Sequence, residues 1–410
     1  MSHRLEGKTV VVGLSGGIAC YKAAELVRAL VRAGATVRVM MTAAAQEFVT
    51  PLTLQTLSGH PVATNTFDLT QESQIGHIQL ADAADAVVIA PATANVIGKI
   101  ANGIGDDVVT TVLLATRAPV VIAPAMNVNM YENPIVQANL GRLRAGGFHI
   151  AEPGEGFLAC GWEGTGRLAD LDALLAEIER ALSPQDLHGE RVLVTAGPNR
   201  EAIDPVRFIS NRSTGKMGFA LAAAAWRRGA EVALVAGPTA LPTPHGVRRT
   251  DVSTAEEMRQ AVAAEFPTAS LLFMAAAVAD YRPARATKEK LKKGSGRLVL
   301  ELDRTVDILA ELAPRKGERF VVGFAAETEQ VIANAERKLE EKNLDLIVAN
   351  DVAGAQTGFE VDTNAVTMID RGGHHESVPL MSKDAVADRI IDHVIALKGQ
   401  RSTAEKAKSA

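Results

Sequence analysis

Near-continuous apolar runs, separated by amphipathic alanine-rich stretches, set the pattern of this chain. Such runs lie at Ala86–Pro91 and Pro119–Pro124, and again at Leu271–Val278, Phe320–Ala325 and Leu344–Asn350. They predict parallel strands covered by helices on both faces. Two stretches repeat one plan. GKTVVVGLSGG leads into a helical pattern from about Ile18 to Val31 and then RAGATVRVMMT. GERVLVTAGP leads through a longer loop into a helical pattern from Met217 to Arg228 and then RGAEVALVAGP. Strand, glycine-bearing loop, helix, Gly-Ala turn and strand is the order of a right-handed βαβ unit. The expected fold class is α/β with two domains, each built on a mostly parallel sheet. Gly294–Leu302 and Ala365–Ile369 predict extra strands in the second domain.

The length of 410 residues suits two domains. A helical pattern over Leu168–Leu182 is followed by SPQDLHGE, which is short and polar and carries Pro184. The expected division is a domain over 1–182, a linker over 183–188, a domain over 189–400 and a disordered polar tail over 401–410. Only Lys8, Lys22 and Lys99 precede the linker, and the other lysines begin at Lys216. With 47% hydrophobic and 22% charged residues, global disorder is excluded. A net charge of −5 argues against a general nucleic-acid binder. Two cysteines, Cys20 and Cys160, exclude a disulfide scaffold. The opening MSHRLEGKTVVVGLSGGIACYK has neither a signal-peptide pattern nor a membrane-spanning stretch, so a cytoplasmic protein is expected.

Open α/β sheets bind ligands beyond the carboxyl ends of their strands. In the first half the loops there are GLSGG (13–17), PATAN (91–95) and PAMNVNM (124–130). Amides at a helix start, with the Ser15 hydroxyl, suit a phosphate, and a tight turn without a ligand explains the glycines equally well. The spacing is not the dinucleotide fingerprint GxGxxG, which argues against a nicotinamide dehydrogenase. His77 stands near a predicted helix start, as a packed residue or a site residue. Cys160 lies in the glycine-rich ACGWEGTGR, whereas Cys20 reads as a small packed side chain.

Taken together, GGIACYK, His77, PATAN, PAMNVNM and ACGWEGTGR resemble the flavin-dependent cysteine decarboxylase family, from about Lys8 to Leu182. The resemblance implies a flavodoxin-like or Rossmann-like flavoprotein domain. It implies FMN held by Ser15, Gly16, Gly17, Thr93, Asn95, Pro124, Ala125 and Met126. His77 matches the active-site histidine, Asn127 the asparagine of the PAMN motif and Cys160 the substrate-lid cysteine. Decarboxylating an acylated cysteine needs an electron sink, which a flavin provides by oxidising the CH2–SH group to a thioaldehyde. Loss of CO2 then leaves an ene-thiolate, which is reduced to the thiol. By this resemblance His77 is the acid/base group, Asn127 holds the carboxylate and Cys160 supplies the final proton.

In the second half, VLVTAGPNREAIDPVRFISNRSTGKMG contains Gly-Lys but is no P-loop, since Met217 stands where Ser or Thr would meet magnesium. Asn211, Arg212, Ser213, Thr214 and Lys216 precede a helix, as an anion cradle or as a solvated loop. FMAAAVADYRP offers small residues for close approach, and KEKLKKGSG is either a solvated charge run or a flap over phosphates. With GFAAET and VANDV, these pieces resemble phosphopantothenate–cysteine ligase from about Gly189 to Ile395. The resemblance implies a Rossmann-like ligase domain that uses CTP, with Mg2+ mainly on the triphosphate and no assigned protein ligand. Lys290 matches the flap lysine and Asn211 a residue linked to the acyl-cytidylate intermediate. Arg207, Ser213, Thr214, Gly215, Lys216, Ala275, Ala276, Asp280, Phe324, Lys338 and Lys342 match the nucleotide and substrate site.

Decarboxylase followed by ligase is the order of the bacterial bifunctional coenzyme A biosynthesis family. That resemblance implies ligation of phosphopantothenate to cysteine, then decarboxylation to phosphopantetheine. It also implies homo-oligomers: trimeric flavin domains and dimeric ligase domains, which together could build a dodecamer. A peptidyl-cysteine decarboxylase is the nearest rival, and the ligase half argues against it. A flavin-binding regulatory protein of the same fold is opposed by the presence of His77, Asn127 and Cys160.

Overall fold

A computed structural model describes residues 3–66, 76–157, 161–292, 297–327, 331–351, 358 and 360–409. The chain divides into two compact units, Met1–Pro184 and Gln185–Ala410.

The amino unit runs β1 (Thr9–Leu14), α1 (Cys20–Arg32), β2 (Thr36–Met41), α2 (Ala43–Gln46), α3 (Pro51–Ser58), β3 (Val62–Ala63), α4 (His77–Ala83) and β4 (Ala86–Ala92). It continues with α5 (Ala94–Ala101), α6 (Val108–Ala115), β5 (Val120–Pro124), α7 (Val128–Tyr131), α8 (Pro134–Ala145), β6 (His149–Ile150), β7 (Gly154–Phe157), β8 (Glu163–Arg167) and α9 (Leu171–Leu182). Six parallel strands form one sheet in the order β3-β2-β1-β4-β5-β6, and β7 and β8 form a separate antiparallel hairpin. The strands are apolar on both faces because both are covered. Val10, Val12 and Leu14 pack against α1 and α9, while Val11, Val87 and Ile89 pack against the opposite helices. Helix α1 buries Cys20, Ala23, Leu26, Val27 and Leu30, an i, i+3, i+4 stripe. Each fully buried leucine contributes about 1.5–3 kcal/mol.

The carboxyl unit runs β9 (Arg191–Ala196), β10 (Glu201–Ala202), β11 (Phe208–Ile209), α10 (Lys216–Arg227), β12 (Glu231–Ala236), β13 (Arg248–Asp251), α11 (Ala255–Glu265), β14 (Leu271–Met274), β15 (Tyr281–Pro283) and β16 (Leu302–Arg304). Then come α12 (Ile308–Leu312), β17 (Phe320–Glu327), α13 (Val331–Glu341), β18 (Leu346–Asp351), β19 (Thr363–Asp370), β20 (His375–Ser382) and α14 (Lys383–Ser409). Its sheet is ordered β13-β12-β9-β14-β17-β18-β19-β20. Strands β13, β12, β9, β14, β17 and β18 are parallel, and β19 and β20 add antiparallel at one edge. In both units the strand order reverses beside the first strand, so the crevice lies between β1 and β4 and between β9 and β14.

Three expectations need correction. Between 294 and 302 no strand is described before Leu302. Pairing among the described residues is confined to β16 against β15 and one further bond from Ala284 N to Glu301 O, with Leu298 and Val299 exposed, and residues 293–296 lie outside the described residues. The run from Leu271 stays a strand only to Met274. Ala276 N turns to the Thr195 side-chain Oγ1, and pairing resumes only as an isolated parallel bridge of Ala277 with Pro198, Ala277 N donating to Gly197 O. The polar tail expected to be disordered continues α14 to Ser409. Its Ala, Glu and Lys residues are strong helix formers that extend a helix already nucleated.

Candidate functional site

In the amino unit, β1, β4 and β5 end at one edge of the sheet, where α1, α5 and α7 begin. The loops after β1 and β4 are tied through Ser15. Its Oγ donates to Pro91 O at 2.8 Å and accepts from Thr93 N at 2.9 Å. Ser15 is 1% exposed, and its hydroxyl holds two ligand-edge loops together. Cys20 Sγ donates to Ser15 O at 3.2 Å, and burial pushes this thiol's pKa up, as suits a packed cysteine.

The two glycines of the loop differ. A Cβ on Gly16 would lie 2.5 Å from Ala44 Cβ, so glycine is needed there for close approach to α2. A Cβ on Gly17 would meet only Thr93 Cγ2, at 3.6 Å. Packing within the chain does not demand glycine at 17, but a ligand lying against the backbone would. His77 is the first residue of α4, and its Nδ1 is buried without a hydrogen-bond partner among the described residues. An orphaned ring nitrogen and an open glycine at a ligand edge fit a bound cofactor and substrate.

The PAMN segment follows β5. Ala125 N donates to Ala92 O, which joins it to the Thr93 loop, where Asn95 is exposed. Asn127 caps α7, its Oδ1 accepting from Asn129 N at 2.9 Å, and this sets the orientation of its amide. The β7–β8 hairpin docks on this segment through glycines. Met126 N donates to Gly166 O at 2.9 Å, and a Cβ on Gly166, whose φ is +148°, would lie 2.3 Å from Met126 O. A Cβ on Gly164 would lie 2.8 Å from Val128 Cγ2. The glycines of EGTGR are therefore the contact between hairpin and PAMN loop. Cys160 lies between the two strands of the hairpin and outside the described residues.

In the carboxyl unit a cavity of about 850 Å³ opens at the corresponding edge. Ser213, Thr214, Gly215 and Lys216 line it at the start of α10, with Asn211 before them. Gly215, at φ +81°, caps that helix. Asn211 Nδ2 donates to Ala277 O at 2.5 Å and its Oδ1 accepts from Ser213 N at 3.0 Å, so it bridges the α10 loop to the loop after β14. Ala275, Ala276 and Asp280 line the second wall, and Phe324, Lys338 and Lys342 the third. Lys342 Nζ lies 3.0 Å from Asp307 Oδ2. Burial opposes ionisation of Asp307, but Lys342 and the Ala310 amide overcome it and hold its pKa below the ordinary carboxylate value. Lys216 is paired as well, donating to Glu360 O at 3.0 Å and to Asp362 Oδ1 at 2.6 Å.

Two expected site residues lie elsewhere. Arg207 does not line the cavity. It forms a fork on buried Asp204, with Nε at 2.9 Å and Nη2 at 2.5 Å from Oδ2, and also donates to Leu291 O at 2.8 Å. Leu291 N donates to Asp204 Oδ2 and Thr287 N to Ile203 O, so this pair anchors the segment bearing Lys290. Lys290 itself is exposed and outside the cavity lining. Conversely, Asp307, Asn350, Asn364 and Lys383 line the cavity and were not singled out from sequence. The α12 N-cap pattern over Asp307–Ala310 was a local signal for the first, while the others arrive through sheet register and long-range packing.

Residues 1–183 match the family model described as Flavoprotein. Residues 187–397 match the DNA/pantothenate metabolism flavoprotein C-terminal domain. The chain is 50% identical over 400 residues to the coenzyme A biosynthesis bifunctional protein CoaBC of Bacillus subtilis (strain 168), covering 97% of this chain and 98% of that protein. The chain belongs to this family. The protein of the same description from Vibrio cholerae is 50% identical over 394 residues, covering 95% of this chain and 98% of that protein. The crystal structure of the C-terminal domain of a CoaBC protein matches 53% of this chain and 99% of its own length, at 42% identity and a TM-score of 0.46. The family resemblance implied by the motifs is thereby established over both halves. Among the described residues no helix is long and apolar enough to cross a membrane.

Proposed function

We infer that this chain is a bifunctional enzyme of coenzyme A biosynthesis, with a flavoprotein decarboxylase half and a ligase half. The observation that carries this is the match of nearly the whole chain, both halves in order, to the bifunctional family. The ligase half joins 4′-phosphopantothenate to cysteine, and the amino half decarboxylates the product to 4′-phosphopantetheine.

In the ligase step, the substrate carboxylate attacks the α-phosphate of CTP, forming an acyl-cytidylate and releasing pyrophosphate. The cysteine amine then attacks the activated carbonyl and releases CMP. Lys338 and Lys342 on the cavity wall suit the nucleotide phosphates. Asn211 is fixed between Ala277 and Ser213, and its amide would donate its remaining N–H to charge developing on the carbonyl oxygen. Lys290 acts from its anchored segment on the transferring phosphate, and Arg207 acts by holding that segment. Mg2+ belongs mainly on the triphosphate. Among the described residues no cluster of three His, Cys, Asp or Glu side chains could hold it alone.

In the amino half, Gly17 and the start of α1 are suited to the phosphate of FMN, with Thr93, Asn95 and the PAMN segment beside the ring. When bound, FMN supplies reversible two-electron oxidation of the substrate CH2–SH group, the electron sink that CO2 loss requires. Asn127 holds the substrate carboxylate through its amide. His77 moves a proton through its ring nitrogens, and Cys160 is the final proton donor. Exposed Ile18 and Tyr21 beside the glycine loop, and exposed Leu298 and Val299 in the ligase half, are apolar surface that contacts between copies would cover. Trimeric flavin domains and dimeric ligase domains, which together would build a dodecamer, follow from the family resemblance.

The test is a mass-resolved turnover assay with 4′-phosphopantothenate, cysteine, magnesium and either CTP or ATP. Phosphopantetheine, CO2 and CMP with CTP are expected. Accumulated phosphopantothenoylcysteine would refute the roles of His77, Asn127 and Cys160. No product with either nucleotide, from folded flavin-loaded protein, would overturn the enzymatic reading.

A further inference from the structure

We propose that Lys383 is a positioning residue of the ligase site, a tethered cation that gathers backbone carbonyls into one wall of the cavity. The proposal rests on the ligase reading above. Lys383 is the first residue of α14, directly after β20, and lines the cavity. Its Nζ donates to Gly358 O at 2.9 Å and to Val361 O at 2.6 Å, and its backbone N donates to Asp362 O at 2.9 Å. One residue thus grips the turn before β19 at three points.

An ammonium is opposed at this place on three counts. The residue is only 6% exposed, and burial disfavours the charged form. It sits at the positive end of a long helix, where a cation is unfavourable. The Lys216 ammonium adds like-charge repulsion, which Asp362 partly offsets, and burial with Lys216 lowers the Lys383 pKa. An apolar residue would pack the start of α14 without these penalties. What it would not do is draw carbonyl oxygens together, which is how backbone oxygens surround a bare monovalent cation.

The gathered turn reaches the chemistry through a second lysine. Glu360 O and Asp362 Oδ1 both accept from Lys216 Nζ. Lys216 begins α10, at the end of the loop that carries Asn211. Lys383 therefore acts on the Asn211–Lys216 loop through the turn. The lysines at the nucleotide end, Lys338 and Lys342, lie on and just after α13, a different element.

The test uses the full chain with Lys383→Ala and Lys383→Met. Ligation by both variants is expected to fall about tenfold or more in kcat, with KM for CTP changed by less than about twofold. Decarboxylation of supplied phosphopantothenoylcysteine by the same preparations stays at the wild-type rate and reports an intact chain. Added methylammonium restores ligation by Lys383→Ala, because it fills the emptied carbonyl site, while tetramethylammonium, which has no N–H, does not. Lys383→Met, which fills that space with an apolar chain, is not rescued. Wild-type ligation by Lys383→Met overturns the proposal, and so does a folded Lys383→Ala variant that methylammonium leaves unchanged. If Lys383→Ala does not fold, Lys383→Met decides alone. A wild-type protein that makes no phosphopantothenoylcysteine refutes the ligase reading itself.

Discussion

Gly166→Ala is expected to impair decarboxylation while leaving ligation by the same chain intact. Gly166 has φ +148°, and a methyl group on it would lie 2.3 Å from Met126 O. Carbon–oxygen contacts close in to about 3.3 Å, so hairpin and PAMN loop must separate by roughly 1 Å. The backbone conformation itself is costly for alanine, about 1–3 kcal/mol. The hydrogen bond from Met126 N to Gly166 O adds about 1 kcal/mol when it is lost. Together these loosen the hairpin from the segment carrying Asn127 by about 2–4 kcal/mol. A misplacement of this size lowers a positioned reaction by about 100-fold. The assay is single-turnover conversion of phosphopantothenoylcysteine to phosphopantetheine, with ligation followed on the same sample. Gly156→Ala separates backbone strain from the steric approach. Gly156 lies on the same hairpin at φ +140°, yet its Cβ would meet nothing closer than Arg167 Nη1 at 3.9 Å. Decarboxylation by Gly166→Ala within about twofold of wild type, or equal loss in both variants, would refute the reasoning.

Gly17→Ala should leave the thermal midpoint of the flavin-free protein unchanged and weaken FMN binding about tenfold or more, as read by fluorescence titration, because only Thr93 Cγ2 stands near the added carbon. Lys342→Met should raise KM for CTP about tenfold without changing decarboxylation, since it removes both a cavity cation and the partner of Asp307. The Arg207 guanidinium holds Asp204 well below the ordinary carboxylate range, with the Val206, Arg207 and Leu291 amides adding to the effect. A depressed folded-state pKa contributes stability above the unfolded value, about 3.9, and loses it as pH falls below that value. Proteolytic cleavage within residues 287–292 should therefore be constant from neutral pH to about pH 5 and rise below about pH 4. Asp204→Asn should show the raised cleavage already at neutral pH.

The fold was legible because the strand runs are near-continuously apolar and carry their own stops, and both units repeat one plan. Helix α1 follows the stripe from Cys20 to Leu30, and β4 and β5 coincide closely with AVVIAP and PVVIAP. The misses have a common physical cause. The Gly294–Leu302 run has the composition of a strand, but pairing, which composition does not encode, is found among the described residues only from Glu301. Site roles divide in the same way. Residues whose work is local, such as Asn127 capping α7 or Gly215 capping α10, stand where the motifs put them. Residues whose roles depend on a distant partner could not be read from neighbours in the chain. Ser15 meets Thr93, Arg207 meets Asp204 and Leu291, and Lys216 meets Asp362. In each case a group suited to touching a ligand is also paired within the protein. These pairings place loops that approach from separate strands, and a βαβ sheet leaves such loops otherwise unconnected at its carboxyl edge. The recognisable motifs therefore contain two kinds of residue, those that would touch substrate and those that hold the touching residues in place, and only three-dimensional structure separates them.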